Sequence, residues 1–169
     1  MRSLRDGIMA DINTVLDFIT KFQAAGREVS DNLRSAHLNL HVNSSSRRTS
    51  QAQKEKTTRF AKIASEVVLR SVERQIADYS RQATGEGLFE KEGGDPDGRK
   101  VLLNMLIRDG IDTMRGRTGK ARSSALHDEM ERSGIENPSR RDINLYSDCR
   151  TAIAGAAMHI IESIQTQPT

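Results

Sequence analysis

Residues 8–40 read IMADINTVLDFITKFQAAGREVSDNLRSAHLNL, and within them Ile8, Ile12, Val15, Ile19, Phe22, Gly26, Val29, Leu33, Ala36 and Leu40 follow one another at steps of four and three without a slip. Such alternation lines side chains along one stripe of a helix, because the helix repeats every 3.6 residues. Kept up over four heptads, it is the seam of a coiled coil or of a long bundle helix. Met9 and Leu16 widen the stripe near its start, which favours a bundle over a bare two-stranded coil. The flanking positions that would carry interhelical ion pairs are mostly uncharged, with Asp11 the exception. A glycine inside a helix costs about 1 kcal/mol relative to alanine, so the pattern predicts a weak or bent point at Gly26, or a place where another backbone comes close. The expectation is one long helix, or two consecutive ones, over 4–42. Ile8, Ile12, Val15, Ile19, Phe22, Val29, Leu33 and Leu40 form its oligomer interface.

After this arm, residues 43–58 (NSSSRRTSQAQKEKTT) are polar and lack periodicity, which predicts a basic linker with Thr57 or Thr58 capping a second helix. Phe60, Ala64, Val67, Val68, Val72, Ile76, Tyr79 and Ala83 then give a helical face. The run 84–98 (TGEGLFEKEGGDPDG) reads as a loop with Leu88-Phe89 tacked onto the core. A third helix is expected over 99–114 and a basic, glycine-broken loop over 115–122. Ser123 or Ser124 would cap a short helix that Gly134 ends. Ser139 would cap a last long helix reaching about residue 165. Strand patterns and internal repeats are not evident. The predicted fold is all-α: a helical bundle with a long N-terminal heptad-patterned arm (1–42), a basic linker (43–58) and a C-terminal helical domain (59–169).

Composition sets bounds on this picture. At 169 residues, one domain or one domain plus an arm is expected. Trp is absent, and there are two Tyr and four Phe, so Ile, Leu, Val, Met and Ala are expected to make up the core, alone or with a second subunit. The single Cys149 excludes an internal disulfide framework and fits a reducing compartment. The N-terminus has no long apolar run of the secretory kind, and the apolar stretch 151–161 is too short to span a bilayer. A location in the cytoplasm, or in an intracellularly assembled particle, is therefore expected. Net charge is +3, but it comes in blocks: Arg47, Arg48, Lys54, Lys56 and Arg59 face only Glu55, and 84–98 is acidic. Charge blocks mark partners or solvated loops.

Motifs for chemistry fail one by one. In Gly116-Arg-Thr-Gly-Lys120 the residue after the lysine is Ala121, and the first glycine of a phosphate loop would fall on Met114. Asp95-Pro-Asp-Gly98 is a fragment of a calcium loop and reads as a turn. His37 and His41, four apart, would share a helix face but have no third ligand by spacing, so no metal site is expected. Cys149 and His159 are ten residues apart and do not face each other on a helix. The cysteine reads as structural. Ala152, Ala154, Gly155, Ala156 and Ala157 read as tight packing within the bundle. No cofactor or small-molecule substrate is suggested, and the chain reads as a non-enzyme.

Two surfaces remain. Through its N-terminal helix the chain is expected to form a homo-oligomer or bind a helical protein partner, as an assembly or structural protein. Alternatively, it is a dimeric nucleic-acid-binding regulator. Its basic loops would then meet phosphates through Arg47, Arg48, Arg115, Arg117, Lys120, Arg122, Arg140 and Arg141. Residues 124–150 also read as helix, turn, helix, with Arg140, Arg141, Asn144 and Tyr146 where a recognition helix contacts bases, although its flanks are acidic.

Overall fold

The computed structural model describes the backbone at residues 4–42, 50–85, 87–115 and 120–167, with side chains described there except at 4–11 and 110–122. Among the described residues the regular structure is entirely helical. Helix α1 (Leu4–Ser35) runs through Gly26 without a break. It stops short of the expected end because His37 adopts a left-handed conformation, φ 47°, which histidine tolerates better than most residues. A 3-10 turn, Leu38–His41, comes next, so His37 and His41 do not share a helix face.

Helix α2 (Gln51–Gly85) begins well inside the expected linker. Ser50 caps it, its hydroxyl oxygen accepting the Gln53 N–H at 3.2 Å. Residues 51–56 are good helix formers, yet every one of them is exposed. Apolar periodicity reports burial, and a helical turn with nothing to bury does not display it. The rest of the expected linker, 43–49, lies outside the described residues.

The loop 84–98 holds a one-turn helix, α3 (Leu88–Lys91). Gly94 and Gly93 close it by donating to the Phe89 and Glu90 carbonyls at 2.8 and 3.1 Å. Asp97 caps α4 (Gly98–Arg115), its carboxylate accepting the Lys100 N–H at 3.2 Å. Helix α5 (Lys120–Arg132) starts earlier than Ser123 and ends in the same glycine motif. There Ile135 donates to the Met130 carbonyl and Gly134 to the Glu131 carbonyl, with Gly134 at φ 93°. Helix α6 (Arg140–Thr166) opens, as expected, on Ser139. A reciprocal capping box joins that serine to Asp142.

One hydrophobic cluster draws on α1, α2, α4, α5 and α6. Phe18, Phe22, Val29 and Leu33 of α1 are fully inside it. The few aromatics are central to this core, contrary to an aliphatic-only interior. Phe18 packs on Phe22 and Phe89 at 5.6 and 5.3 Å between ring centroids, and Phe60 meets Tyr146 at 6.2 Å. Helices α1 and α2 run oppositely, tied by Arg34–Glu73 at 2.6 Å and by Ile76 lying against Gly26. Helices α2 and α6 run in the same direction, with Lys56 near Asp142 and Phe60 near Tyr146. The start of α4 meets the end of α6, where Arg99 donates to the Ile164 carbonyl at 2.8 Å while pairing with Glu28 of α1.

Candidate interaction surfaces

The heptad stripe of α1 divides between inside and outside. Phe22, Val29 and Leu33 are buried against the chain's own helices. Burial of each contributes about 1.5–3 kcal/mol, too much to be given up to an external partner. Val15 and Ile19 are half-buried. Ile12 and Leu16 stand 48% and 56% exposed, and Leu40, on the 3-10 turn, 75%. The side chain of Ile8 lies outside the described residues.

The reason for the division is geometric. Among the described side chains of α1, Phe18 is the first to be fully buried, under Phe89 and against the start of α4. Upstream of it, at Ile12 and Leu16, apolar side chains of α1 remain uncovered. Further along, one edge of α1 and the facing edge of α2 border a surface groove of about 440 Å³. It is lined by Gln23, Gly26, Arg27, Ser30, Glu73, Ile76, Ala77 and Ser80. Small residues make it shallow and open.

Of the basic residues singled out in the sequence, Arg47, Arg48 and Arg117 lie outside the described residues. Arg115, Lys120 and Arg122 are placed on helices, with undescribed side chains. Arg140 and Arg141 are exposed on the first turn of α6. Beside them the structure brings Lys56 and Arg59 from the start of α2, the helix that also carries Lys54 and Lys62. Lys56 pairs with Asp142 at 3.0 Å, and Arg59 donates to the Gly134 carbonyl at 3.2 Å. Burial alone would raise the Asp142 carboxyl, but Lys56 and the Ser139 cap outweigh it and hold the group below its ordinary pKa. Lys54, Lys56 and Arg59 belonged to a charge block visible in sequence. The approach of Lys56 and Arg59 to the α5–α6 corner was not visible, because it depends on how α2 and α6 pack.

Tyr146, placed in sequence among base-contacting residues, is fully buried. Its hydroxyl donates to the Glu129 carboxylate at 2.5 Å. Arg150, 6% exposed, grips the same carboxylate at 2.8 and 3.1 Å. Burial, and then the Glu129 charge, push the Tyr146 hydroxyl far above its ordinary pKa. This trio clamps α5 to α6 and leaves the second helix no aromatic to present to bases. Cys149 is buried, and burial followed by the charge of Asp148 pushes its thiol up to about 11, so it stays protonated at neutral pH. Tyr79 donates to Asp109 at 3.4 Å and is pushed up to about 12, by burial first and then by that carboxylate. Among the described residues no group of three or more His, Cys, Asp or Glu is arranged to hold a metal, and no helix is long and apolar enough to cross a membrane. Comparison with protein-family models, with curated proteins and with solved structures gives no match.

Proposed function

We propose that the chain is a non-enzymatic helical assembly protein that pairs with a second copy through the N-terminal half of α1, as a building block of a larger complex or particle. The observation that carries this reading is the exposure of Ile12 and Leu16, at 48% and 56%, on a helix whose later large apolar residues Phe18, Phe22, Val29 and Leu33 are buried and whose Ile19 is half-buried. Two neighbouring half-exposed aliphatic side chains favour burial in a partner.

A second copy suits the pattern of sizes. Along this edge Ile12 and Ser30, Leu16 and Gly26, and Ile19 and Gln23 share a midpoint at residue 21. Two α1 helices laid antiparallel about that point set the large side chains of each over the shallow groove of the other. Such a contact is self-complementary, as a two-fold interface requires.

Sedimentation equilibrium at high micromolar concentration tests the reading. A dimer or larger oligomer is expected, and Ile12→Lys/Leu16→Lys should convert it to a folded monomer with unchanged helical circular dichroism. A wild-type chain that remains monomeric would exclude the reading.

A further inference from the structure

Helices α2 and α6 begin side by side. The Lys56–Asp142 pair and the Arg59 bond to the Gly134 carbonyl fix the start of α2 against the α5–α6 corner. On the surface so formed, the six bases Lys54, Lys56, Arg59, Lys62, Arg140 and Arg141 outnumber the four acids Glu55, Glu136, Asp142 and Asp148, and Asp142 already serves Lys56 and the Ser139 cap. Among the described residues, no carboxylate lies within ion-pair distance of Lys54, Arg59, Lys62, Arg140 or Arg141. Elsewhere on α2 the bases Arg70 and Arg81 have acidic partners, Glu66 and Asp78, while Arg74 stands alone without a neighbouring unpaired base of the same helix within ten residues. Uncompensated positive charge is therefore concentrated at this corner, where it raises the local concentration of anions.

The shape and lining favour one kind of anion. A cleft of about 520 Å³ opens between the two helices, with Gln53, Lys56, Ser139, Arg141 and Asn144 on its walls together with Leu145 and the carboxylates of Asp142 and Asp148. A trough of about 390 Å³ follows α2 itself along Gln51, Lys54, Glu55, Thr58, Arg59 and Lys62. Amide, hydroxyl and cationic donors in this mixture suit phosphate and sugar oxygens. A membrane-binding surface would need apolar side chains to insert, and neither cleft nor trough supplies a row of them. Lys54 to Lys62 covers about 12 Å at 1.5 Å per residue, which, laid along the axis of a duplex, spans three to four phosphates of one strand at about 3.4 Å of rise each. Tyr146 being buried, nothing aromatic on α6's first turns reads a base.

We infer that this corner grips the phosphate backbone of a nucleic acid without reading its sequence. The contact is independent of pairing through α1, because the cations come from the starts of α2 and α6, and α1 runs opposite to α2 so that its first half lies toward the other end of that helix.

Binding of the full chain to a fluorescent duplex, followed by anisotropy at several salt concentrations, tests it. The logarithm of the association constant should fall with log salt at a slope of about −3, the signature of three to four neutralised phosphates. Lys54→Glu/Lys62→Glu/Arg141→Glu should lose about tenfold or more in affinity at moderate salt. The same change in net charge placed elsewhere, Lys21→Glu/Arg70→Glu/Lys100→Glu, should leave affinity within about twofold if the contact is local. Equal losses in both triple variants, absence of salt-dependent binding, or binding to phosphatidylserine vesicles without binding to the duplex would each overturn the inference. Circular dichroism of both variants guards against a folding defect.

Discussion

Gly26 and Gly98 look interchangeable as helical glycines, and the structure separates them. A Cβ on Gly98 would overlap the carbonyl oxygen of Phe18 and lie 2.7 Å from the Phe22 amide nitrogen. Both obstacles are backbone, which yields only if α4 moves off α1. A Cβ on Gly26 would meet the Cγ2 of Ile76 at 2.7 Å and Leu102 at 3.8 Å, both side-chain atoms. Gly98→Ala is therefore expected to destabilise by about 3 kcal/mol, the upper range for overpacking. For Gly26→Ala the gain in helix propensity, about 1 kcal/mol, offsets part of the clash. Thermal denaturation of the two variants should show the larger fall in Tm for Gly98→Ala, and the reverse order would refute the distinction. At Gly26 the sequence suggested a bend or the approach of a backbone, and the structure instead seats side chains of the chain's own Ile76 and Leu102 against an unbroken helix. The close approach at Gly98 was not foreseeable, since within Asp-Pro-Asp-Gly the residue already had a sufficient role as a turn.

Among the elements, α6 was the most legible and α2 the least. Ser139, Asp142 and Gly134 place the α5–α6 corner through local chemistry, caps and a left-handed glycine, which operate within a few residues. Residues 51–56 offered no such signal. They are helical because each has good propensity and α2 continues beyond them, and they bury nothing. The same limit concealed the Glu129–Arg150–Tyr146 clamp, whose members come from two helices and read singly as surface charges and an aromatic near the start of α6. Removing the carboxylate by Glu129→Ala takes away the partner of a nearly buried guanidinium and of a buried hydroxyl. A loss of about 3 kcal/mol is expected from breaking such a pair. Urea denaturation measures it, and a cost below about 1 kcal/mol would mean that the clamp behaves like a surface salt bridge.

For the molecule as a whole, the all-helical architecture could be read from spacing alone, but which side of α1 faces inward could not. A 4-3 repeat states that a stripe is covered, not by what, and Phe22, Val29 and Leu33 turn out to be covered by the chain itself. The buried hydroxyls and thiol have a consequence for overall stability. Cys149 and Tyr79 have folded pKa values of about 11 and about 12, above ordinary values of 9.0 and 10.0. Groups raised in this way contribute stability that is complete below the ordinary value and disappears as pH climbs through the folded one. Each is worth on the order of 2–3 kcal/mol. The urea midpoint should thus hold steady from neutral pH to about 9 and then fall, whereas in Cys149→Ala the fall should begin nearer pH 10. A midpoint flat through pH 11 would contradict the burial of both groups.

Pairing through α1 is tested most directly by amide hydrogen exchange at low and high protein concentration. Slower exchange at the higher concentration is expected within residues 8–20 and along the groove at 23–30 and 73–80, with the rest unchanged. Exchange indifferent to concentration, or protection confined to the Leu40 turn, would contradict a second copy seated on the first half of α1.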